Sequence, residues 1–163
     1  MKSDTENTAA TETEDEDFFD LEASYLDIEK INEGTWVSLG AEFKTLEVYV
    51  RGITSPGAKA MMMRLEREAP KKKRLRGGAL TQKAYAEIVK QVVQEECILD
   101  WRGMYAGKGK SRREIPFSKK TLDGIMTEPR TDHIAGAMVD AVMDLQKTTI
   151  AAEETVSGNS EAS

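Results

Sequence analysis

A chain of 163 residues, of which 39% are apolar and 32% charged, is long enough for one compact core and too short for two. Its single cysteine, Cys97, excludes an internal disulfide and a sulfur-rich metal site. The sequence shows neither a signal peptide nor a membrane-spanning run, so we expect a protein that acts in the reducing cytoplasm where it is made.

The first seventeen residues are strongly acidic. Seven acidic residues and one lysine in this segment account for the whole net charge of −6. Because it has no apolar residue larger than Ala after Met1, we predict a disordered acidic leader over residues 1–17. Such a leader either occupies a basic surface or mimics nucleic acid, or it only keeps the protein soluble; solubilisation is the simpler interpretation.

Two strands are predicted next. Residues 35–39 and 43–50 carry β-branched and aromatic side chains in partial alternation on either side of Gly40, which is typical of an antiparallel hairpin. The apolar face of the second strand is formed by Leu46, Val48 and Val50. A hairpin alone is marginally stable, so this one needs helices against it, with Trp36 as one of its anchors.

A helix is predicted between Ser55-Pro56 and Pro70, with Ser55 as the cap. One face of this helix carries Ala58, Met61, Met62, Leu65 and Ala69, while Met63 projects off it. The run Met61, Met62 and Met63 is therefore interpreted mainly as core. The alternative is a soft apolar surface for a partner, because thioether side chains adapt to varied shapes.

A basic segment follows, formed by Lys71, Lys72, Lys73 and Arg74 and ending near Gly77-Gly78. It is either a nuclear-import or phosphate-binding patch or a solvated loop. Nucleic-acid binding would be favoured by interleaved aromatic residues for base stacking. The segment contains none, so the pattern favours a loop.

The second half of the chain predicts three more helices. The first runs from Thr81, its cap, to Leu99; the second is capped by Ser118; the third opens at Thr131-Asp132. Between the first two, Trp101 and Phe117 anchor a glycine-rich loop with the cations Lys108, Lys110, Arg112 and Arg113. The fold class is thus α+β, a small hairpin packed on about four helices over residues 18–148, before a flexible polar tail over residues 149–163.

The residues do not predict catalysis. His133 is the only histidine and its neighbour Asp132 points elsewhere on the helix, and Cys97 lacks a positioned base. Gly103, Gly107 and Gly109 follow a predicted helix, whereas a nucleotide-binding loop follows a strand, so we reject nucleotide binding. We expect no enzyme activity, no cofactor and no metal.

Five short motifs carry a family resemblance. They are residues 33–37 (Glu-Gly-Thr-Trp-Val), residues 50–56 (Val-Arg-Gly-Ile-Thr-Ser-Pro), the pair Asp100-Trp101-Arg102-Gly103 and Ile115-Pro116-Phe117-Ser118 around the charged loop, and Gly158-Asn159-Ser160. In this order they resemble the short-form tail assembly chaperones of tailed bacteriophages, the G-like minor tail proteins, over roughly residues 18–160.

The resemblance implies a non-enzymatic factor that binds the tape-measure protein, the tail tube protein or both in the host cytoplasm, and is absent from the finished virion. It also implies several copies along one partner, with possible self-association, and in many members a longer form made by frameshifting. The candidate contacts are Met61, Met62, Met63, Lys71, Lys72, Lys73, Arg74, Lys108, Lys110, Arg112 and Arg113.

Two other interpretations stay open at this point. The first is a nucleic-acid-binding accessory protein that uses the two basic segments. The second is a structural subunit of the phage tail or connector. Salt-dependent DNA binding would favour the first, and stoichiometric recovery from purified particles would favour the second.

Overall fold

The structure is a computed structural model that describes residues 18–149. Residues 26–148 form one compact unit. Of the second unit, the described residues 18–25 contain a turn at Leu21–Ser24, in which the Ser24 N–H donates to the Leu21 carbonyl at 3.2 Å. The predicted leader over residues 1–17, and the predicted tail beyond Thr149, lie outside the described residues, so both stay predictions.

The compact unit combines five α-helices with five strands among the described residues. The helices are α1 (Ile28–Glu33), α2 (Pro56–Glu68), α3 (Gln82–Val92), α4 (Lys119–Thr127) and α5 (Asp132–Leu145). The strands are β1 (Thr35–Ser38), β2 (Glu47–Val50), β3 (Ile98–Arg102), β4 (Tyr105–Ala106) and β5 (Arg113–Glu114). None of the helices in this part of the chain has the length and apolar character needed to cross a membrane.

The larger sheet is antiparallel, in the order β1-β2-β3. Thr35 pairs with Val50 on one side of β2, and Trp101 pairs with Val48 on the other. The predicted apolar face of β2 is confirmed, because Leu46 is 6% exposed and Val48 and Val50 are fully buried. The predicted α+β class is therefore confirmed, with one more strand in the sheet than the hairpin alone.

A single apolar core joins this face of the sheet to the helices. Its fully buried side chains come from β2 and β3 and from the helices and turn around them: Val48, Val50, Ala58, Val92, Val93, Cys97, Ile98, Leu122, Met138 and Val142. Each of the three helices predicted at residues 55–69, 118–127 and 132–145 contributes to it, as its apolar spacing indicates. Ile31 of α1, a short helix that the sequence analysis did not predict, is also buried.

The prediction of one helix from Thr81 to Leu99 is wrong at its C-terminal end. Helix α3 ends at Val92, the next five residues (Val93–Cys97) form a π-helical turn, and Ile98 begins strand β3. Both patterns place apolar residues in the core, so periodicity alone does not separate them. The strand forms because β2 would otherwise lack a partner on that side, and backbone pairing with β2 also buries Ile98 and Trp101.

Two charged side chains hold the π-helical turn. The Lys119 ammonium donates to three backbone carbonyls, those of Gln94 (3.0 Å), Glu95 (3.0 Å) and Ile98 (3.2 Å). Burial lowers the pKa of Lys119, and the nearby Glu96 and Glu95 oppose that shift. On the other side, Arg51 donates from Nη2 to the Glu96 carboxylate at 3.0 Å and from Nε to the Glu96 carbonyl at 2.5 Å.

The second predicted strand is shorter than expected. Phe43 belongs to a 3₁₀ turn (Ala41–Phe43) and β2 begins only at Glu47. Lys44 takes a positive φ of 53°, which is uncommon for a residue with a side chain. The reason is geometric: the chain reverses between β1 and β2, so residues 41–46 cannot all remain extended.

The predicted helix caps have different outcomes. Thr81 and Ser118 cap α3 and α4 as predicted, because their hydroxyls accept the N–H groups of Ala84 (3.2 Å) and Thr121 (3.0 Å). Ser55 occupies the N-cap position before Pro56 as predicted, but its hydroxyl makes no capping hydrogen bond and is buried without a partner among the described residues.

Alanine substitutions at Ser55 and Thr81 should therefore behave differently. Thr81→Ala removes a working cap and should lower the free energy of unfolding by about 1 kcal/mol. Ser55→Ala removes a buried hydroxyl that makes no hydrogen bond, so its effect should be within about 0.5 kcal/mol. Urea unfolding followed by circular dichroism measures both, and an equal loss at the two sites would contradict the assignment.

Replacing Lys119 tests the support of the π-helical turn. Lys119→Met keeps the aliphatic stem and removes the donor to three carbonyls, and because water can reach the two exposed ones, it should cost about 0.5–1.5 kcal/mol of unfolding free energy. The control is Lys120→Met, at the exposed neighbouring position, which should change stability by less than about 0.5 kcal/mol. Equal stability of the two variants would show that the ammonium does not support the turn.

Candidate functional site

The three consecutive methionines have three different environments. Met61 is buried in the core, Met62 is half-buried and Met63 is 70% exposed. The core interpretation is thus confirmed for Met61 alone. Met62 lies at the edge of an open groove, and Met63 projects to the surface as the spacing indicated.

That groove is an apolar concavity on the compact unit. It lies between α2, α3 and α5 and encloses about 740 Å³. Its apolar lining consists of Ile53, Met62, Tyr85, Ala86, Val89, Ala135, Gly136, Val139 and Met143. Its polar lining consists of Thr54, Gln82, Lys90, Asp132 and Gln146. A groove of this shape and composition is suited to an amphipathic helix of another protein.

Small residues open the groove. Gly136 lies inside α5, and a Cβ added to it would meet nothing within 4 Å. Glycine inside a helix costs about 1 kcal/mol relative to alanine, so internal packing does not explain it. Ala86 on α3 is also small and exposed. These positions let the backbone of a bound segment come close to both helices, which larger side chains would prevent.

Most of this groove was not predicted from the sequence. Of the predicted contact residues only Met62 lines it, and the lining residues Tyr85, Val89 and Met143 were not among them. One signal was present in the sequence: an isolated glycine, Gly136, inside a strongly helical pattern.

The basic segment is partly engaged within the protein. Lys73 forms an ion pair with Glu87 at 2.7 Å, and the hydrogen bond from Lys73 lowers the pKa of Glu87. The Arg74 guanidinium donates to the backbone carbonyls of Ala69 (3.2 Å) and Gly78 (2.9 Å), and also to that of Glu66. These donors close the turn after α2. Lys71 and Lys72 are exposed, so they are the members of the segment that remain suited to partner contacts.

The predicted glycine-rich loop is a two-stranded ribbon. β4 pairs with β5, and all four cations predicted as contacts (Lys108, Lys110, Arg112 and Arg113) are exposed on it. Gly103 enters the ribbon with φ +74°, and a Cβ there would overlap the Thr45 carbonyl. The three glycines follow strand β3, not a helix as predicted, and only a 3₁₀ turn (Gly109–Ser111) succeeds them. The long helix that a nucleotide-binding loop opens does not follow.

The three predicted anchors, Trp36, Trp101 and Phe117, each contact another aromatic ring. Trp101 is 4% exposed, contacts Phe117 edge to face with 4.8 Å between ring centroids, and donates from Nε1 to the Ile115 carbonyl at 2.8 Å. Trp36 is half-buried. Its ring lies 5.3 Å from that of Tyr49, and the Arg102 guanidinium is 4.2 Å from its centroid.

The two residues considered for catalysis, His133 and Cys97, lie in different environments. His133 is exposed and stacks on Phe43, with 6.1 Å between the ring centroids. Cys97 is fully buried, and burial raises the pKa of its thiol to about 12. Within residues 18–149, no group of three His, Cys, Asp or Glu side chains is placed to hold a metal ion.

Comparisons with protein-family models, curated proteins and solved structures find no match for the chain.

The burial of Cys97 predicts slow thiol chemistry. At pH 8 its thiol is protonated and covered, so a thiol reagent should modify it only when the protein opens, and faster with added urea. A Met63→Cys variant adds a surface thiol, which should react at once with the same reagent. Rapid stoichiometric labelling of the unchanged protein in native buffer would contradict this placement of Cys97.

Proposed function

We propose that this protein is a non-enzymatic tail assembly chaperone of a tailed bacteriophage. It binds helical segments of the tape-measure protein, the tail tube protein or both, during tail assembly in the host cytoplasm, and it leaves before the virion is complete. The observation that carries the proposal is the apolar groove between α2, α3 and α5. The motif resemblance described above supplies the identity of the partner.

The groove supports capture of a helix for a physical reason. An α-helix with its side chains is about 10 Å across, and it binds through apolar side chains spaced three and four residues apart. Two helices, α3 and α5, would flank such a ligand, while Met62 and Met143 adapt to side chains of different shape. This adaptability suits a chaperone that meets many different segments along one long helical chain.

Reversible binding is also consistent with the groove. Its rim carries Gln82, Lys90, Asp132 and Gln146, which contact water when the groove is empty. A small apolar contact with a polar rim gives modest affinity and rapid release. An assembly factor needs both, because its partner must later enter the tail.

The exposed cations of the ribbon support a second candidate function, an accessory protein that binds nucleic acid. Lys108, Lys110, Arg112 and Arg113 would contact phosphates, and the half-exposed Tyr105 would offer one stacking surface. A salt titration against single-stranded and duplex DNA tests this candidate. Steeply salt-dependent binding, with a Kd on the order of 10⁻⁶ M, would favour it over the chaperone.

Two matched glycine substitutions separate binding from folding. Gly136→Gln fills the groove, while Gly124→Gln makes the same change on α4, where a Cβ also meets nothing within 4 Å. Both should raise the unfolding free energy by about 0.5–1 kcal/mol, because glutamine is the better helix former. Only Gly136→Gln should weaken binding to tape-measure or tail-tube fragments, by about tenfold or more in titration calorimetry.

Two results would contradict the proposal that this protein is a tail assembly chaperone. The first is equal affinity of the two glutamine variants for every fragment, which would exclude the groove as the binding site. The second is stoichiometric recovery of the protein from purified virions by mass spectrometry, which would instead favour a structural tail subunit.

A further inference from the structure

A second depression lies at the base of the basic ribbon. It encloses about 760 Å³ between the turn after β1, the start of α5 and the ribbon itself. Its apolar lining consists of Phe43, Leu46, Met104, Tyr105 and Ile134. Tyr105 is 52% exposed and Met104 is half-buried, so the depression offers ring and thioether surface to a ligand.

The charges around this depression have one dominant sign. Lys44 and Arg112 line it, and among the described residues no carboxylate does. The ribbon adds the exposed cations Lys108, Lys110 and Arg113. The ribbon carboxylate Glu114 accepts the Gly103 N–H at 3.4 Å. The ligand that this depression fits is therefore a segment with aromatic side chains and several carboxylates.

The chain itself contains a segment of that chemistry. Residues 15–22 read Asp-Glu-Asp-Phe-Phe-Asp-Leu-Glu, with two aromatic residues among five acidic ones. Phe18, Phe19 and Leu21 are 78%, 82% and 60% exposed. A segment that only keeps a protein soluble does not need two adjacent exposed phenylalanines, so this pair indicates a binding segment.

We propose that residues 15–22 of one copy bind in the basic depression of a second copy. The two phenylalanine rings would pack against Phe43, Met104 and Tyr105, and the carboxylates would pair with Lys44 and Arg112. A volume of about 760 Å³ accepts both rings. This contact uses neither the groove nor its helical ligand; it rests on the proposed function and deepens it, because it names the two surfaces through which copies associate. Because it is small and partly electrostatic, it should be weak and should weaken further with salt.

Sedimentation velocity of the full chain tests the proposal. The sedimentation coefficient should rise with concentration, with a Kd on the order of 10⁻⁵ M, and should fall back at high salt. The double variant Phe18→Ser and Phe19→Ser should weaken association by at least about tenfold, because two apolar rings lose their burial. The control is Met63→Ser with Leu75→Ser, which removes two exposed apolar side chains elsewhere and should leave association unchanged.

A charge exchange between two variants distinguishes a direct contact from a general defect. One variant reverses the segment, with Asp15, Glu16, Asp17 and Asp20 changed to Lys. The other reverses the depression, with Lys44→Glu and Arg112→Glu. Each alone should stay monomeric, and an equimolar mixture should associate again, since every segment then meets a depression of opposite charge. A folding defect would not be repaired by mixing.

Two outcomes would overturn this inference. One is an unchanged chain that stays monomeric at every concentration and salt level. The other is association that survives both the double serine variant and the reversed depression, which would place the contact elsewhere. Gly136→Gln should leave self-association intact, so a failure of the groove proposal and a failure of this one give different results.

Discussion

The change from helix to strand at Val93–Cys97 is the constraint on which the remaining structure depends. A chain that continued as a helix would leave β2 without its second neighbour and Trp101 without its place in the core. The Lys119 ammonium from α4 donates to two carbonyls of this turn, those of Gln94 and Glu95, and to the carbonyl of Ile98 at the start of β3. The Lys119 ammonium thereby links α4 to the turn and to the sheet, with Arg51 on the opposite side, while the shared apolar core packs the same elements together.

The surface of this unit divides into regions of different chemistry around α5. One side of that helix contributes Asp132, Ala135 and Gly136 to an apolar groove with little net charge. Ile134, on another side, lines a depression whose rim is cationic. An uncharged groove selects for shape and apolar spacing, whereas a cationic rim selects for carboxylates and responds to salt. We therefore assign the two proposed partners, a tail-protein helix and the acidic segment of another copy, to separate sites.

The features of the fold that the sequence predicted are those determined by interactions between residues close together in the chain. Caps at Thr81 and Ser118, the start of α2 at Pro56 and the buried face of β2 depend on neighbouring residues, so the sequence pattern predicted them. Strand β3 depends on a partner about fifty positions earlier, and local periodicity does not report that distance. The groove was missed for the same reason, since helices distant in sequence line it. The unpaired Ser55 hydroxyl shows that a favourable residue type does not guarantee the hydrogen bond.

The proposed donor segment and acceptor depression differ from each other, which would have a consequence for the geometry of assembly. Two identical patches that face each other close into a pair, but unlike patches leave one free end of each kind after every addition. Growth would then either close into a ring, where the rotation between neighbouring copies allows it, or continue as an open chain. If the groove of each copy holds a stretch of one long helix, the length of that helix determines how many molecules are recruited.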